Sequence, residues 1–284
     1  MSIVVTGATG HLGHHVVESL LDRGVPAAEI TATGRSTDRL ADLAARGVTV
    51  VTADYTDPAS LDAAFAGADK VLIVSSNDFN DRPGQHRNAI DAAVRAGVGH
   101  VVYTSGPKAT TSSMLLMSDH RATEEHLATS GLTTTILRNG WYVENYTGQV
   151  PTYLEHGMVG SAGEGKVSLA LRSDLGEAAA VVLTTDGHEG KVYELGGDAV
   201  TLTGLAAIIS DVTGTTVTYT DVPVEAFAEI LAGAGLPEPV ADIFADVDRS
   251  ISQGELYVDP SDLATLLGRP ATPVADAVKA ALAE

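Results

Sequence analysis

The chain has 284 residues, 44% hydrophobic and 19% charged, which is ordinary for a globular protein and long enough for one large α/β domain with an appended lobe. Acidic residues outnumber basic ones by 37 to 17, and the formal charge of −20 disfavours nucleic acid and anionic membranes as partners. There is no cysteine, hence no disulfide or thiolate chemistry; no long apolar run or charged-then-apolar leader suggests a membrane span or signal peptide, so a cytoplasmic protein is expected.

The apolar run Ile3-Val4-Val5 suits a buried parallel strand. Directly behind it, residues 6–13 read Thr-Gly-Ala-Thr-Gly-His-Leu-Gly, with Gly7, Gly10 and Gly13 at three-residue intervals. The first glycine lets the chain turn sharply out of the strand. The second removes a Cβ where a pyrophosphate would approach, and the third lets the next helix pack closely on the sheet. That helix starts near His11 and carries Val16, Val17, Leu20 and Leu21 as an apolar stripe, with its N-terminal amides and dipole toward the phosphates. Strand, glycine turn and helix together predict dinucleotide binding.

The rest of the first half alternates strand-like and helical stretches. Strands are expected at Ile3–Thr6, Ile30–Thr33, Val48–Thr52, Lys70–Val74, His100–Thr104 and Thr133–Leu137, and helices near 11–23, 37–46, 58–66, 84–96 and 119–129. Asp57-Pro58 reads as an N-cap followed by Pro at the first helical position, and Gly24, Gly47 and Gly97 fall where helices should end. This rhythm predicts an α/β fold with a doubly wound parallel Rossmann sheet.

After about residue 140 the pattern changes. Glycines cluster at 157–165, then a helix near 173–185, a strand at 191–195, a helix near 203–213 and a strand at 216–220 are expected. Short helices punctuated by Pro223, Pro237, Pro239, Pro260 and Pro270 complete the chain. The reading is a dinucleotide-binding domain over 1–140 and a smaller C-terminal α+β substrate lobe over 141–284, some of whose segments return to the first domain. That lobe is expected to cover the C-terminal edge of the sheet.

The second strand ends in Gly34-Arg35-Ser36, and no carboxylate occurs between Thr31 and Thr37. A carboxylate there would bind the adenosine 2′-hydroxyl of NAD, whereas Arg suits the 2′-phosphate of NADP, so NADP is expected over NAD. Asp54-Tyr55 follows the third strand at the expected adenine edge, where Asp54 either binds the adenine amino group or caps the next helix. Ser75-Ser76 ends the fourth strand, where main-chain contacts to the cofactor are expected.

Candidate catalytic groups are fewer. None of the eight tyrosines is followed four residues later by lysine, so carbonyl reduction by a Tyr-x-x-x-Lys pair is not expected. Gly-x-Ser-x-Gly and His-Glu-x-x-His are also absent, which argues against hydrolase and zinc chemistry, and no metal is expected. Tyr103-Thr104-Ser105 closes the fifth strand and Ser118-Asp119-His120 opens the next helix. Strand six runs into Arg138-Asn139-Gly140-Trp141-Tyr142-Val143-Glu144-Asn145-Tyr146, which contains the only Trp of the chain. Such an aromatic and amide cluster suits a flat conjugated acceptor, or else an aromatic plug between lobes.

These words resemble the NmrA-like atypical short-chain dehydrogenase/reductase family, and within it the bacterial NADPH-dependent quinone oxidoreductases of type 2. Besides residues 6–14 and 137–146, the matching words are Ala-Asp-Tyr (53–55), Gln-His-Arg-Asn (85–88), Tyr-Thr-Ser (103–105), Leu-Glu-His-Gly (154–157) and Gly-His-Glu-Gly-Lys-Val-Tyr-Glu-Leu (187–195). Triarylmethane-dye reductases are similar over the same words. The resemblance implies that Gly7, Thr9, Gly10, His11, Leu12 and Gly13 hold the pyrophosphate and Arg35 the 2′-phosphate. It implies cofactor contacts from Asp54, Tyr55, Ser75, Ser76 and Thr104. Asn139, Gly140, Trp141, Tyr142, Val143 and Glu144 would line the nicotinamide end, with Arg172 closing over the cofactor from the second lobe. His120 and Tyr142 are the candidate catalytic side chains. His120 stands where isoflavone-reductase relatives carry lysine, which leaves it either an acid–base group or a structural hydrogen-bonder.

The expected function is NADPH-dependent hydride transfer to quinones or similar planar conjugated acceptors. Two alternatives stay open: a dinucleotide-sensing regulator without turnover, and a tailoring reductase in polycyclic quinone biosynthesis. A homodimer is compatible with the sequence, which does not fix the oligomeric state.

Overall fold

Ile3, Val4 and Val5 are buried at the middle of a seven-stranded sheet, as their apolar character demands. The computed structural model describes residues 1–78 and 80–283. In chain order its elements begin with β1 (Ile3–Val5), α1 (His11–Asp22), β2 (Ile30–Gly34), α2 (Ala41–Ala45), β3 (Thr49–Thr52), α3 (Pro58–Phe65) and β4 (Lys70–Ile73). They continue with α4 (Arg82–Ala96), β5 (His100–Ser105), α5 (Leu115–Thr129), β6 (Thr134–Asn139), β7 (Trp141–Tyr142), α6 (Glu144–Thr147) and α7 (Val150–His156). Then follow β8 (Met158–Gly160), β9 (Val167–Ala170), α8 (Arg172–Thr184), β10 (Val192–Leu195), β11 (Asp198–Val200) and α9 (Leu202–Thr213). The chain closes with β12 (Tyr219–Asp221), α10 (Val224–Gly233), α11 (Glu238–Ser252), α12 (Ser261–Leu267) and α13 (Val274–Ala281).

The chain divides into two compact units. The first comprises residues 1–106, 119–138 and 172–193; the second comprises 107–118, 139–171 and 194–284. The division is thus discontinuous: 172–193 returns to the first unit, and 107–118 leaves it.

The large sheet has the order β10-β6-β5-β4-β1-β2-β3, and the pairings among β1 to β6 are parallel, the doubly wound arrangement expected from the alternating pattern. Asp57 caps α3 by accepting from Ala59 N at 3.1 Å, with Pro58 at the first helical position, and Asp81 caps α4 in the same way through Gly84 N. α8 packs along α1, and Gly176 permits the approach: a Cβ there would lie 2.9 Å from His15 Cβ.

Within the second unit, β11-β9-β7 form a small mixed sheet and β12 pairs in parallel with β8. Met158, Val167, Leu205, Ile209, Val247 and Ile251 are among the residues of its apolar core.

Several local expectations shift. The helix expected over 37–46 is a 3-10 turn at Thr37–Leu40 followed by the short α2. α5 begins at Leu115 rather than near 119, so His120 lies inside the helix, not at its start. Pro239 does not break a helix: it occupies the first turn of α11, where its missing N–H has no helical acceptor to lose. Arg172 opens α8 in the first unit, which corrects its assignment to the second lobe, because α8 is committed to packing on α1. No helix among the described residues is long and apolar enough to cross a membrane.

Candidate active site

The glycine turn is built by contacts that only glycine tolerates. Gly7 has φ +62°, a left-handed conformation. A Cβ on Gly13 would sit 2.5 Å from Gly7 O and 2.8 Å from Ala8 Cα, so α1 meets the turn backbone to backbone. Gly10 differs: a Cβ there would meet only Gly7 O, at 3.3 Å. Its small size therefore serves the open side of the turn more than the fold.

Gly10 is also the N-cap of α1, yet no side chain caps this helix and no acidic residue lies in its first turn. By contrast α3, α4 and α9 each receive a capping side chain, from Asp57, Asp81 and Thr201. The first N–H groups of α1, with Leu12 buried and His11 exposed, thus have no side-chain acceptor from a cap and suit an anion.

β2 is fastened to this turn. Ala8 N donates to Thr33 O at 2.8 Å, and a Cβ on Gly34 would run into the Thr9 side chain. The next residue, Arg35, is exposed and makes no hydrogen bond or ion pair among the described residues. On the far side, the Tyr55 hydroxyl donates to Val74 O at 2.6 Å and lies 2.5 Å from Thr6 Oγ1. Thr6 Oγ1 in turn donates to Leu72 O and accepts from Val74 N. Tyr55 is therefore a strut beneath the turn, and burial pushes its hydroxyl well above the ordinary phenol range. Asp54 uses Oδ1 to accept from Thr56 N and Thr56 Oγ1, both at 2.8 Å, leaving the capping of α3 to Asp57.

The chain after β4 is held by α4. Ser75 N donates to Thr104 Oγ1, Ser76 N donates to His86 Nε2 at 2.8 Å, and Ser76 Oγ donates to Gln85 Oε1 at 2.6 Å. Arg82 Nε donates to Ser76 O at 2.7 Å. Asn88 Nδ2 donates to Tyr55 O at 2.8 Å. The Gln-His-Arg-Asn word at 85–88 thus has a physical meaning: three of its four side chains position the loops around the glycine turn.

The bond from Ser76 N also fixes a tautomer. Because His86 Nε2 accepts, its proton sits on Nδ1, which lies 2.9 Å from Thr123 Oγ1 and 3.3 Å from the Tyr103 hydroxyl. Thr123 Oγ1 spends its own proton on Asp119 O at 2.8 Å. The Tyr103 hydroxyl is then free to donate to His120 Nδ1, 2.7 Å away. This places the His120 proton on Nε2, which has no hydrogen-bond partner among the described residues. Burial, then Arg82, lower His86 to about 3; burial, then Arg82 and His86, do the same to His120. Both imidazoles are neutral at physiological pH. Tyr103 is fully buried, with its hydroxyl raised far above the ordinary range by that burial. The sequence pointed to His120, and placed Tyr103 and His86 in words shared with the family without joining them to it; Arg82 it did not mark.

At the end of β5, Glu124 accepts from Ser105 Oγ at 2.6 Å and holds Arg138 through Nε at 3.0 Å and Nη2 at 2.6 Å. This bidentate pair is nearly buried and locks α5 against β6.

The remaining expected site residues lie in the second unit. Gly140 is required there, because a Cβ would sit 2.8 Å from Leu195 O and 3.0 Å from Ser168 O. Asn139 is buried and its Oδ1 has no hydrogen-bond partner among the described residues. Trp141 is half-buried against the apolar core and pairs with Leu169; Tyr142, also half-buried, pairs with Ala170. The Val143 side chain is buried in that core and its N–H donates to Ala170 O at 3.1 Å, while Glu144 begins α6. Gly7, Thr9, Gly10, His11, Leu12, Gly13, Arg35, Asp54, Tyr55, Ser75, Ser76, Thr104, His120 and Arg172 belong to the first unit, and 139–144 to the second.

The model of the NmrA-like family matches residues 1–263. Quinone oxidoreductase 2 of Escherichia coli (strain K12) is 48% identical over 278 residues, covering 97% of each chain. The crystal structure of the Escherichia coli NADPH-dependent quinone oxidoreductase complexed with NADPH superposes with a TM-score of 0.95 at 47% identity, covering 99% of both chains. The Citrobacter sp. triphenylmethane reductase complexed with NADP(H) gives a TM-score of 0.93 at 40% identity, covering 99% of this chain and 100% of that one. The chain belongs to the NmrA-like family.

Proposed function

We propose that this protein is an NADPH-dependent oxidoreductase that reduces quinones or similar conjugated acceptors. The observation that carries the reading is the glycine turn, whose helix α1 lacks any side-chain cap and whose companion strand β2 delivers the unpaired Arg35. That donor set fits a pyrophosphate and a 2′-phosphate. Relatives of the same length named quinone oxidoreductase and triphenylmethane reductase support both cofactor and acceptor class.

NADPH, when bound, supplies the hydride. The residues of the chain do the rest. The amides of His11, Leu12 and Gly13 at the start of α1 would bind the pyrophosphate, the Gly10 N–H being spent on Gly7 O at 3.0 Å, and Arg35 would select the phosphorylated ribose. The N–H groups of Ser75 and Ser76 are spent on Thr104 and His86 and the Ser76 hydroxyl on Gln85, so these bonds set the loop. His120, fixed as a neutral Nε2–H donor, orients a ribose or carbonyl oxygen without giving up its proton. We assign Asn139, with its unpartnered Oδ1, together with Gly140, Val143 and Glu144 to the nicotinamide end, and Trp141 and Tyr142 to the acceptor. The one proton that completes reduction to the hydroquinone comes from water, because the hydroquinone monoanion left by hydride transfer is basic enough to take it.

Purified protein should oxidise NADPH on addition of menadione or a triarylmethane dye, faster than NADH. Binding of NADPH without oxidation by any such acceptor would make the protein a dinucleotide sensor instead.

A further inference from the structure

The helix that carries His120 begins in an unusual way. Met114 stands immediately before Leu115, the first residue of α5, and a methionine side chain offers no oxygen to the open N–H groups of a helix start. At the same place α3, α4 and α9 have Asp57, Asp81 and Thr201. The acceptors for α5 come instead from carboxylates 131 and 141 residues further along the chain. Glu255 Oε2 accepts from Ser113 N at 3.0 Å and from Met114 N at 3.1 Å, the latter shared with Ser112 Oγ at 3.1 Å. The Ser112 hydroxyl donates to Glu255 Oε2 at 2.5 Å and the Ser113 hydroxyl to Oε1 at 2.7 Å. Asp246 Oδ2 accepts from Leu115 N at 2.7 Å, while Arg249 Nε donates to Asp246 Oδ1 at 2.8 Å.

The segment leading into α5 is tied down by the same turn. Lys108 Nζ donates to Gly254 O at 2.9 Å, next to Glu255, and Lys108 N lies 3.2 and 3.1 Å from the two carboxylate oxygens of Glu194. Lys108 is the only non-glycine residue with positive φ among the described residues, at +50°. Such a conformation persists only where its surroundings over-determine it, and these carboxylate and carbonyl contacts do so. Lys108, Ser112, Ser113, Met114, Glu194, Asp246 and Glu255 all belong to the second unit. The construction is more elaborate than a helix cap requires, since one acceptor at the N-cap would serve.

We propose that Glu255, assisted by Asp246, is a positioning residue for hydride transfer: its carboxylate holds the first turn of α5 and through it the direction of the His120 Nε2–H. The proposal rests on the oxidoreductase reading, in which that N–H orients an oxygen of cofactor or acceptor. In an α-helix the N–H of residue 119 pairs with the carbonyl of 115, and that of 120 with the carbonyl of 116. The His120 backbone thus hangs from the turn that Glu255 and Asp246 close. A turn deprived of its acceptors frays, and His120 is the first member of the buried network to follow it. Thr123 and Glu124, one turn further on, are held by their own bonds to His86 and Arg138.

The test compares Glu255→Ala with Thr201→Ala, a stability control that removes the N-cap of α9 in the same unit. In histidine-labelled protein, nitrogen-15 NMR should show the His120 Nδ1 resonance displaced toward that of an unbonded imidazole nitrogen in Glu255→Ala and unmoved in Thr201→Ala. In Glu255→Ala alone, kcat for menadione should fall about two- to fivefold, with the NADPH dissociation constant within about twofold of wild type. Because the effect runs through His120, Glu255→Ala should lower kcat no further in a His120→Ala background. A His120 resonance that stays in place in folded Glu255→Ala, an unchanged kcat, or an equal loss in the His120→Ala background overturns the proposal. Wild type without menadione-dependent NADPH oxidation defeats the oxidoreductase reading itself, and the resonance then still decides whether Glu255 positions His120. Should Glu255→Ala fail to fold, Asp246→Ala, which removes the acceptor of Leu115 N, takes its place with the same expected and contrary results.

Discussion

The Tyr103 hydroxyl lies 2.7 Å from Nδ1 of His120, and that bond determines what His120 presents to its surroundings. With Nδ1 as acceptor, the imidazole is neutral and its remaining proton points outward on Nε2. The two side chains, with His86 and Arg82 behind them, form a buried polar network whose members fix one another's protons.

Nitrogen-15 NMR of histidine-labelled protein should show His86 as the Nδ1–H tautomer and His120 as the Nε2–H tautomer. Neither should take up a proton as the pH falls from about 8 to about 5, since burial and Arg82 hold both near 3. A His120 resonance that titrates near the ordinary value of about 6.5 would return it to the role of general acid.

Tyr103→Phe leaves His120 Nδ1 without its donor in a buried setting. The expected cost is about 1–3 kcal/mol in urea-unfolding free energy. Reduction of quinones should persist at about a tenth of the wild-type rate or better, because orientation is weakened and no proton donor is lost. His120→Ala should likewise retain substantial activity, and a loss beyond about a thousandfold in kcat would contradict the orienting role.

The two glycines of the turn should separate folding from binding. Gly13→Ala places a methyl 2.5 Å from Gly7 O and 2.8 Å from Ala8 Cα, contacts made by backbone that has nowhere to move. A destabilisation of about 2–4 kcal/mol is expected. Gly10→Ala meets only one oxygen at 3.3 Å. Its melting temperature should stay near wild type while NADPH affinity falls by about tenfold or more, measured by titration calorimetry.

Local physics made the first half of the site legible. Gly7, Gly10 and Gly13 announce themselves because their constraint acts within a few residues, and Arg35 follows because it ends the next strand. The His86–Tyr103–His120 network was not legible: its members are each separated by 17 residues on three different elements, and only the sheet brings them together. The small strands β7, β8, β9, β11 and β12 are two to four residues long, too short for a period to show. Asp248 escaped for a similar reason. On the sequence it is one more carboxylate in an acidic helix; only packing of Gly160 and Tyr219 against it reveals a buried group.

Asp248 gives a stability test with a definite sign. Its folded value, about 6, lies above the unfolded value near 4, so the folded state holds the proton more tightly. The stabilisation it contributes is present below about pH 4 and is lost as pH rises through about 6. The difference in unfolding free energy between wild type and Asp248→Asn should therefore move against wild type by about 1–3 kcal/mol from about pH 4 to about pH 8. A difference independent of pH would mean that the carboxyl is not perturbed.

Arg35 makes no hydrogen bond or ion pair among the described residues, so its replacement reads cofactor selection. Arg35→Ala should leave the unfolding free energy unchanged and remove about ten- to a hundredfold of NADPH affinity, with NADH binding nearly unaltered. Equal loss for both cofactors would place the 2′-phosphate elsewhere.

The most direct test is a single-turnover experiment in which protein loaded with one equivalent of NADPH is mixed with menadione and followed by nicotinamide absorbance. The account predicts rapid loss of the reduced nicotinamide signal, with one menadione consumed per NADPH, and no loss when menadione is omitted. A stable NADPH signal in the presence of excess menadione, from protein that demonstrably binds both, would contradict it.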